Sequence, residues 1–504
     1  MRTRERRRRG RHTGVTPTMA PKHMPSEERD ALLSDLRQIA ADADLMDPSV
    51  FLPLARHDLA LRPENLIIRG ERGAGKTALF RFITAHETRR QELRDIFPNS
   101  QLVASTWIDG FSVTEGMNHP VGDNIWQFAK AATDSELRIF WMAHLACRLH
   151  ATDQSHAAPP SEIWEPWSTG LNDVGRWVHA AVAQLVKLTT WLDELERHLA
   201  GRRGSVMVMY DQLDRISPFE RDVATRCTNA LLALWMSLIG RYRRLHAKIF
   251  IREDFFEASQ RSFADASKLQ SRSISLDWDR QSLFRVLIRH MACRSDGLRG
   301  WLGRGGKKIP LKEHPFLGWM PPDTLPEKGK VSQKTFVEHL VGETMGKGIK
   351  KGYTHNWIPN RLQDAHVRIV PRSLLNLIGL AADQAKQKGP TASYDRLLTP
   401  GELAAALEET SRRRVRELAE EHPVVQRLEN LRDQTVMLEP KVVVSYLSKP
   451  VGDDDDFATD GQRVLEEFVR LGILSVRKDG RVDVPDIYRY GFGIKRKGGV
   501  KRPR

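Results

Sequence analysis

The stretch GERGAGKT, residues 70–77, decides the fold of this chain. It matches the pattern G-x-x-x-x-G-K-[ST], in which glycines let backbone N–H groups surround phosphate oxygens. In that pattern the lysine, here Lys76, lies against the β- and γ-phosphates, and the hydroxyl of Thr77 binds Mg²⁺. The sequence therefore predicts a site for ATP or GTP with magnesium. The residues expected to contact the nucleotide are Gly70, Gly73, Ala74, Gly75, Lys76, Thr77 and Ala78.

The residues on either side supply the strand and the helix that this loop requires. Residues 65–69 form a short apolar run that ends at the first glycine, as expected of a buried strand. Residues 78–83 have apolar side chains at helical spacing, and the positive end of that helix would face the bound phosphate. This order of strand, loop and helix favours a nucleotide site over a chance match.

Four more apolar runs predict the rest of a sheet, at residues 101–108, 205–210, 248–251 and 273–276. Helical patterns lie between them, and this alternation is typical of a parallel sheet covered on both faces. Residues from about 110 to 203 predict a helical insertion. Seven of the twelve tryptophans lie between Trp107 and Trp191, and we expect them to fill a helix–helix core, with a partner surface as the alternative.

The ends of two later strands and the start of one later helix carry side chains suited to a triphosphate site. The third strand ends at Asp211, where a carboxylate that holds hydrated Mg²⁺ is expected, and Asp214 follows closely. Ligands bind beyond the carboxyl ends of strands in such sheets, so Arg252 is a candidate sensor of the γ-phosphate, with a structural ion pair as the alternative. Arg372 opens a later helix and is a candidate lid residue that stabilises charge during transfer.

The composition is that of a soluble globular protein. The 504 residues are 40% hydrophobic and 28% charged, which predicts about two to four domains. The longest uncharged apolar run, residues 227–240, is too short to cross a bilayer, and three separated cysteines suit a reducing cytosol. We expect a cytoplasmic protein with no membrane partner.

The net charge of +15 is concentrated in three segments. Residues 1–25 carry +7, residues 495–504 carry +6, and residues 294–352 carry twelve basic and six acidic side chains. The remainder of the chain is slightly acidic. Any binding of nucleic acid is therefore expected through the tails and the middle segment.

These patterns divide the chain into six parts. Residues 1–25 predict a disordered basic tail, and 26–293 a P-loop ATPase core that includes the insertion. A basic Gly/Pro-rich segment at 294–360 follows, and its eleven glycines between residues 294 and 352 predict a flexible or loop-rich structure. A helical lid is predicted at 361–415. Residues 416–494 predict a winged-helix-like domain, from three helical patterns followed by two short strands with an Asp-Gly turn. Residues 495–504 form a second basic tail.

With these residues in view, the chain resembles the bacterial P-loop ATPases related to the KAP and STAND branches, which are relatives of AAA+ proteins. The resemblance covers roughly residues 60–110, 203–290 and 365–390. It is carried by GERGAGKT, VMVMYDQLDR, KIFIRED, SISLDWDRQSLFRVLIRHM and PRSLLNLIGLAADQA. It implies an α/β P-loop NTPase fold with a parallel sheet, a helical insertion, a helical lid and a C-terminal winged helix.

The resemblance also implies roles for single residues. Lys76, Thr77 and Asp211 correspond to the phosphate and Mg²⁺ residues, and Asp214 to the second acidic position of the D-D-L-D-R pattern. Arg252 and Arg372 lie where AAA+ relatives place a sensor and a lid arginine; their roles stay open at this point. Gln212 departs from the pattern, because KAP relatives have Asp there and many AAA+ proteins have Glu. Glutamine holds water but accepts no proton, so we expect hydrolysis that is slow, that uses Asp214 instead, or that needs a partner.

Three functions compete at this stage. The first is a regulatory ATPase that acts as a nucleotide-dependent switch or assembly motor, in bacterial anti-phage defence, with self-association and a protein effector as its partners. The alternative is a DNA-binding AAA+-like loader or initiator, favoured by the basic tails and the predicted winged helix. The third is a scaffold with a relic nucleotide site.

Overall fold

In this computed structural model the described residues are 24–45, 48–86, 89–100, 104–113, 118–217, 220–263, 266–304, 308–389, 396–452 and 457–496. Within them, the phosphate-loop stretch leaves the middle of a five-stranded parallel sheet ordered β2-β3-β4-β1-β5. The strands are β1 (Ile67–Gly70), β2 (Ser105–Phe111), β3 (Ser205–Tyr210), β4 (Leu245–Arg252) and β5 (Ser273–Ser275). The predicted parallel sheet is confirmed.

The sheet is buried on both faces because its strands are apolar on both sides. Along β3, Val206, Val208 and Tyr210 pack into one core with the insertion helices. Met207 and Met209, which alternate with them, pack into a second core with the helix that follows the phosphate loop. Because successive side chains of a strand point to opposite faces of the sheet, a strand that is buried on both faces needs apolar side chains at consecutive positions.

The helices before the insertion are α1 (Ser26–Leu45), α2 (Ala55–Ala60), α3 (Lys76–Ala85) and α4 (Arg90–Leu93). Helices α2, α3 and α4 contribute to the core on one face of the sheet, whereas α1 belongs to a separate core. The insertion contains α5 (Gly122–Ala131), α6 (Asp134–Thr152), α7 (Ser161–Thr169), α8 (Val174–Ala183) and α9 (Leu185–Gly201). Trp141 and Trp177 are fully buried there, as expected of a helix–helix core.

The helices after β3 are α10 (Arg221–Arg241), α11 (Glu253–Ser262), α12 (Ala266–Ser271) and α13 (Arg280–Arg294). Among the described residues α10 alone is long and apolar enough to cross a membrane. Its side chains Leu231, Leu234 and Trp235 are buried in the core that includes α6, which is the environment of a core helix in a soluble protein. The cytoplasmic location stays a prediction.

The basic segment after α13 is folded to a larger extent than its glycine content predicts. It contains α14 (Asp296–Leu302), an antiparallel hairpin of β6 (Lys312–His314) and β7 (Gly318–Met320), and α15 (Gln333–Leu340). Trp301, Phe336 and Leu340 are fully buried in a third core, which α1 and the C-terminal helices complete. The expectation of a loop-rich segment is therefore wrong for these elements, because their apolar side chains are sufficient to bury them.

The C-terminal part is helical. It comprises α16 (Thr354–Leu362), α17 (Pro371–Gln387), α18 (Pro400–Ala419), a 3-10 helix (Pro423–Leu431), β8 (Thr435–Val436), α19 (Pro440–Leu447), α20 (Gly461–Arg470), β9 (Ser475–Val476), β10 (Val482–Asp483), α21 (Asp486–Arg489) and β11 (Lys495–Arg496). Strands β9 and β10 are antiparallel. The helices and hairpin occur in the expected order, and the assignment as a winged helix stays a prediction. The expected lid boundary at residue 415 lies inside α18.

The two predicted tails lie almost wholly outside the described residues. At the C-terminal end, however, Lys495 and Arg496 form β11, which pairs with β8. Arg496 makes an ion pair with the buried carboxylate of Asp483. The tail predicted at 495–504 is therefore wrong for its first two residues, because a buried carboxylate and a strand edge both engage them.

Candidate nucleotide-binding site

The carboxyl ends of β1, β3 and β4 meet at one edge of the sheet, beneath a cleft of about 580 Å³. Gly70 pairs with Arg252 across β1 and β4, so the phosphate loop begins beside the end of β4. Asp211 directly follows β3. The cleft is lined by Gly73, Gly75, Lys76, Thr77, Ala78, Asp211, Asp214, Arg252 and Arg372. Most of the predicted site residues therefore face one space; Gly70 and Ala74 are buried within the loop.

The loop has the backbone shape that its glycines permit. Gly73 and Gly75 have φ of +83° and +93°, in the left-handed region that side chains disfavour. Helix α3 begins at Lys76, whose Nζ donates hydrogen bonds to the carbonyl oxygens of Gly70 at 2.7 Å and Glu71 at 3.1 Å. Desolvation lowers the pKa of Lys76, and the nearby carboxylate of Asp211 opposes this effect. The ammonium is thus held over the loop.

Asp211 has the environment of a metal ligand. Its side chain is buried, with 3% of the residue exposed. Burial raises the pKa of Asp211 to about 6, while a hydrogen bond from the Thr77 side chain lowers it. Among the described residues its Oδ2 has no hydrogen-bond partner, although a buried carboxylate oxygen is costly to leave unpaired. An unpaired oxygen beside a hydroxyl fits Mg²⁺, which prefers such hard oxygen ligands.

Arg252 both lines the cleft and belongs to a buried ion-pair network. It donates to Asp214 Oδ2 at 3.2 Å and to both carboxylate oxygens of Asp254, at 3.1 and 2.8 Å. Its Nη2 also lies 3.4 Å from Glu421 Oε2. Burial alone would lower the pKa of Arg252, but these carboxylates raise it above its ordinary value. The structural ion pair is therefore present, and Asp214 is engaged by it.

Arg372 reaches the cleft from the start of α17. Its Nη1 lies 3.6 Å from Glu417 Oε1 of α18. A β-carbon added to Gly73 would lie 3.2 Å from the Arg372 Cβ, so α17 and the phosphate loop are in close contact. The first residue of this helix, Pro371, also lines the cleft. The predicted lid helix is thus next to the loop.

The cleft has an aromatic end that the sequence analysis missed. Phe51 stacks on His57 with ring centroids 5.0 Å apart, and Trp278 meets His57 edge-on at 6.2 Å. The indole nitrogen of Trp278 donates to the carbonyl oxygen of Ala74 in the phosphate loop at 2.8 Å. Burial lowers the pKa of His57 to about 3, so this ring is neutral. These residues belong to three separate segments, and no local pattern marks them.

Two further residues of the cleft, Glu420 and Glu421, were also missed. They follow α18 in the C-terminal part of the chain. Glu420 is largely exposed and accepts a hydrogen bond from Arg72 of the phosphate loop at 2.6 Å. Glu421 is buried, with 8% of the residue exposed. Burial raises the pKa of Glu421 to about 7, and Arg252 opposes this rise.

Two residues of the phosphate loop, Glu71 and Arg72, contact charged side chains of the C-terminal part of the chain. Glu71 lies 2.8 Å from Arg368 and 3.9 Å from Arg414 of α18. Arg414 also donates to the carbonyl oxygen of Arg72 at 3.3 Å. The loop that would hold the phosphates is therefore in direct contact with the helices that lead into the C-terminal segment.

Helix α20, the third helix of the predicted winged helix, uses its polar side chains in contacts within the protein. Gln462 donates to Glu466 at 2.8 Å, and the guanidinium of Arg463 lies 4.9 Å from the Phe457 ring centre. Arg470 makes an ion pair with Glu257 of α11. In this arrangement α20 is docked against the nucleotide core.

Comparison with known proteins adds little to this geometry. No protein-family model matches the chain, and no curated protein matches it either. Among solved structures, the ORC2 protein of Aeropyrum pernix, solved as ADPNP-ADP complexes, is similar at 10% sequence identity and a TM-score of 0.29. The alignment covers 94% of this chain and 97% of that chain. At this TM-score the likeness carries no weight for function.

The sheet order, the phosphate-loop motif and the cleft thus define a mixed α/β protein with a five-stranded parallel sheet and a candidate nucleotide site at its edge. The relationship to AAA+ proteins, and the narrower assignment to the KAP and STAND branches, stay predictions.

Proposed function

We propose that the chain is an ATP-binding P-loop ATPase whose nucleotide site lies in the cleft between the sheet edge and helices α17 and α18. One observation carries this proposal: four separate parts of the chain line one cleft, and they contribute Lys76 with Thr77, Asp211, Arg252 and Arg372. A relic site would have no reason to keep a buried Asp211 whose Oδ2 has no partner among the described residues, since an unsatisfied carboxylate oxygen destabilises the fold.

Each group has a task set by its position. Backbone N–H groups of the loop and the N-terminus of α3 bind the phosphates, and Lys76 neutralises charge between the β- and γ-phosphates. Thr77 and Asp211 would hold Mg²⁺ directly or through its water. When bound, Mg²⁺ supplies charge neutralisation at the phosphate oxygens. The partly exposed ring of Trp278 at the aromatic end of the cleft suits a purine base, because flat rings stack on aromatic side chains.

Arg252 and Arg372 are proposed to respond to the γ-phosphate. Both guanidinium groups are already oriented by carboxylates, Arg252 by Asp214 and Asp254 and Arg372 by Glu417. A triphosphate in the cleft would compete with these carboxylates for the same cations. Binding and hydrolysis would then change the contacts between the core and α18, which is the basis for proposing a nucleotide-dependent switch.

The biological setting is less constrained than the chemistry. No observation on the described residues supports a role in anti-phage defence over another role for such an ATPase. DNA loading, the alternative, remains a second candidate because residues 294–352 are basic. For it to operate, the docked helix α20 would have to leave α11, breaking the contact of Arg470 with Glu257.

The test is ATP hydrolysis and particle size for wild type and Lys76→Ala, each with and without duplex DNA. We expect hydrolysis by wild type and a loss of at least about 100-fold in the variant. ATP-dependent self-association, present only in wild type, supports the switch, whereas hydrolysis stimulated by DNA in a salt-dependent way supports the loader. Equal behaviour of the two proteins would contradict an ATPase.

A further inference from the structure

The described part of the cleft is lined by four carboxylates, Asp211, Asp214, Glu420 and Glu421. Three of them have evident partners. Asp211 lies beside Thr77 and suits Mg²⁺. Asp214 is paired with Arg252 at 3.2 Å, and the exposed Glu420 is paired with Arg72 at 2.6 Å. Of these four carboxylates, Glu421 alone has no assigned role in the nucleotide site.

Glu421 is buried at the charged end of this cleft. Its side chain is 5% exposed, and its Oε1 has no hydrogen-bond partner in the part of the chain that the structure describes. The other oxygen lies 3.4 Å from Arg252 Nη2. Glu421 also acts electrostatically on Lys76, second in strength only to Asp211. The carboxylate thus lies beside Arg252 and acts on the charge of Lys76, the two cations that are expected to face a γ-phosphate.

Gln212, which occupies the position of the expected water-orienting residue, is not available for that task. It has a left-handed φ of +59°. Its side-chain oxygen accepts a hydrogen bond from the backbone N–H of Val113, beyond the end of β2, at 3.0 Å. An amide also has no site that accepts a proton from water at neutral pH. A carboxylate that accepts a proton from the attacking water would therefore come from another element.

We propose that Glu421 is the catalytic base of this ATPase, supplied to the nucleotide site by the segment after α18. The inference rests on the proposed function. Its Oε1 orients the attacking water and accepts one of its protons. The water oxygen forms a bond to the γ-phosphorus while the bond from that phosphorus to the bridging oxygen breaks. ADP leaves with the electron pair, and the proton on Glu421 passes afterwards to solvent.

The charged groups around Glu421 are compatible with this role. Burial raises its pKa most, and Asp254 raises it further. Arg252, Arg414 and Arg72 lower it, and the result is a pKa of about 7. A base is most effective when its pKa is near the working pH. Arg72 belongs to the phosphate loop and Arg414 to α18, so the charge around Glu421 depends on the contact between the loop and this helix. Hydrolysis would therefore require that contact.

The experiment compares the full-length wild type with Glu421→Gln and a matched control, Glu408→Gln. Glu408 lies on α18, is exposed and pairs only with Arg412 in the described residues. Two properties are measured: the Kd for adenylyl imidodiphosphate with Mg²⁺, which is not hydrolysed, and kcat for ATP. We expect Glu421→Gln to bind the analogue at least as tightly as wild type while kcat falls by about 100-fold or more. Glu408→Gln should match wild type in both.

Several results would overturn the role of Glu421. One is a kcat for Glu421→Gln within about threefold of wild type, since a general base contributes more than that. Another is a parallel loss of analogue binding and kcat, which would indicate a structural role. Tighter binding with unchanged kcat would indicate that Glu421 merely competes with the γ-phosphate. Analogue binding by wild type without any hydrolysis also excludes a base.

A second variant guards against misfolding of Glu421→Gln. Glu421→Asp keeps the charge but withdraws the carboxylate by about one methylene, so a reduced kcat with intact binding is expected; full kcat in this variant would overturn the proposal. Failure of wild type to bind the analogue is a different outcome, because it removes the proposed nucleotide site itself.

Discussion

Replacing Glu421 by glutamine tests how strongly its buried charge destabilises the folded protein. The pKa of Glu421 rises from 4.5 to about 7, mainly through burial. Because the pKa is raised in the folded state, folding favours the protonated acid. That contribution to stability is complete below about pH 4.5 and is lost as the pH rises through about 7. Glutamine is neutral at every pH and keeps the contribution.

The magnitude follows from the two pKa values. Their difference, 7 − 4.5 = 2.5, corresponds to about 3 kcal/mol at ~1.4 kcal/mol for each pKa unit. The free energy of unfolding of Glu421→Gln should therefore exceed that of wild type by up to about 3 kcal/mol near pH 8, but by only about 1 kcal/mol near pH 5.

Urea unfolding of the nucleotide-free proteins at both pH values measures this difference. Glu408→Gln is again the control, because its exposed pair with Arg412 should contribute less than about 0.5 kcal/mol. A gain in Glu421→Gln that is the same at both pH values, or no gain near pH 8, would refute the reasoning on burial.

Three other changes have defined outcomes. Gly73→Ala forces a side chain into φ of +83° and to 3.2 Å from the Arg372 Cβ; thermal unfolding should show a loss of about 1–2 kcal/mol, and unchanged stability would contradict that loop shape. Gly461→Ala places its Cβ 2.2 Å from the carbonyl oxygen of Val444, so limited proteolysis should cut the C-terminal segment faster than in wild type. Arg372→Ala should weaken binding of a fluorescent ATP analogue about tenfold; equal affinity would remove Arg372 from the site.

The nucleotide loop and the strand before Asp211 could be predicted because both depend on short-range information. The loop needs glycines at fixed spacing, and β3 is a continuous apolar run whose predicted bounds, residues 205–210, are those observed. Because carboxyl ends of parallel strands share one edge, the proximity of Asp211 to Lys76 followed from the order of elements alone.

Glu421 could not be predicted, because nothing in its local sequence distinguishes it from a solvated glutamate at a helix end. Its burial depends on how α18 packs against α17 and on Arg252, whose own position depends on β4. Phe51 and Trp278 were missed for the same reason. Their contacts with His57 join segments that are adjacent only after the sheet and α13 have assembled.

Local patterns also misplaced some elements. The helical spacing of residues 174–199 predicts one continuous helix. The structure instead has two helices, α8 and α9, separated at Gln184, whose φ of −110° is not helical. The segment after α13 was expected to be loop-rich from its eleven glycines. Its few large apolar side chains, such as Trp301 and Phe336, outweigh the glycines because burial in a shared core stabilises α14 and α15.

The central claim is that the phosphate loop and the end of β3 hold one magnesium ion with one triphosphate. Calorimetric titration of MgATP into wild type, Thr77→Ala, Asp211→Ala and the double variant tests it most directly. If both side chains act on the same ion, each single variant should lose about tenfold or more in affinity for MgATP. The affinity of the double variant should then be only slightly lower than that of either single variant. Losses that add fully, or unchanged affinity in either single variant, would contradict a shared site.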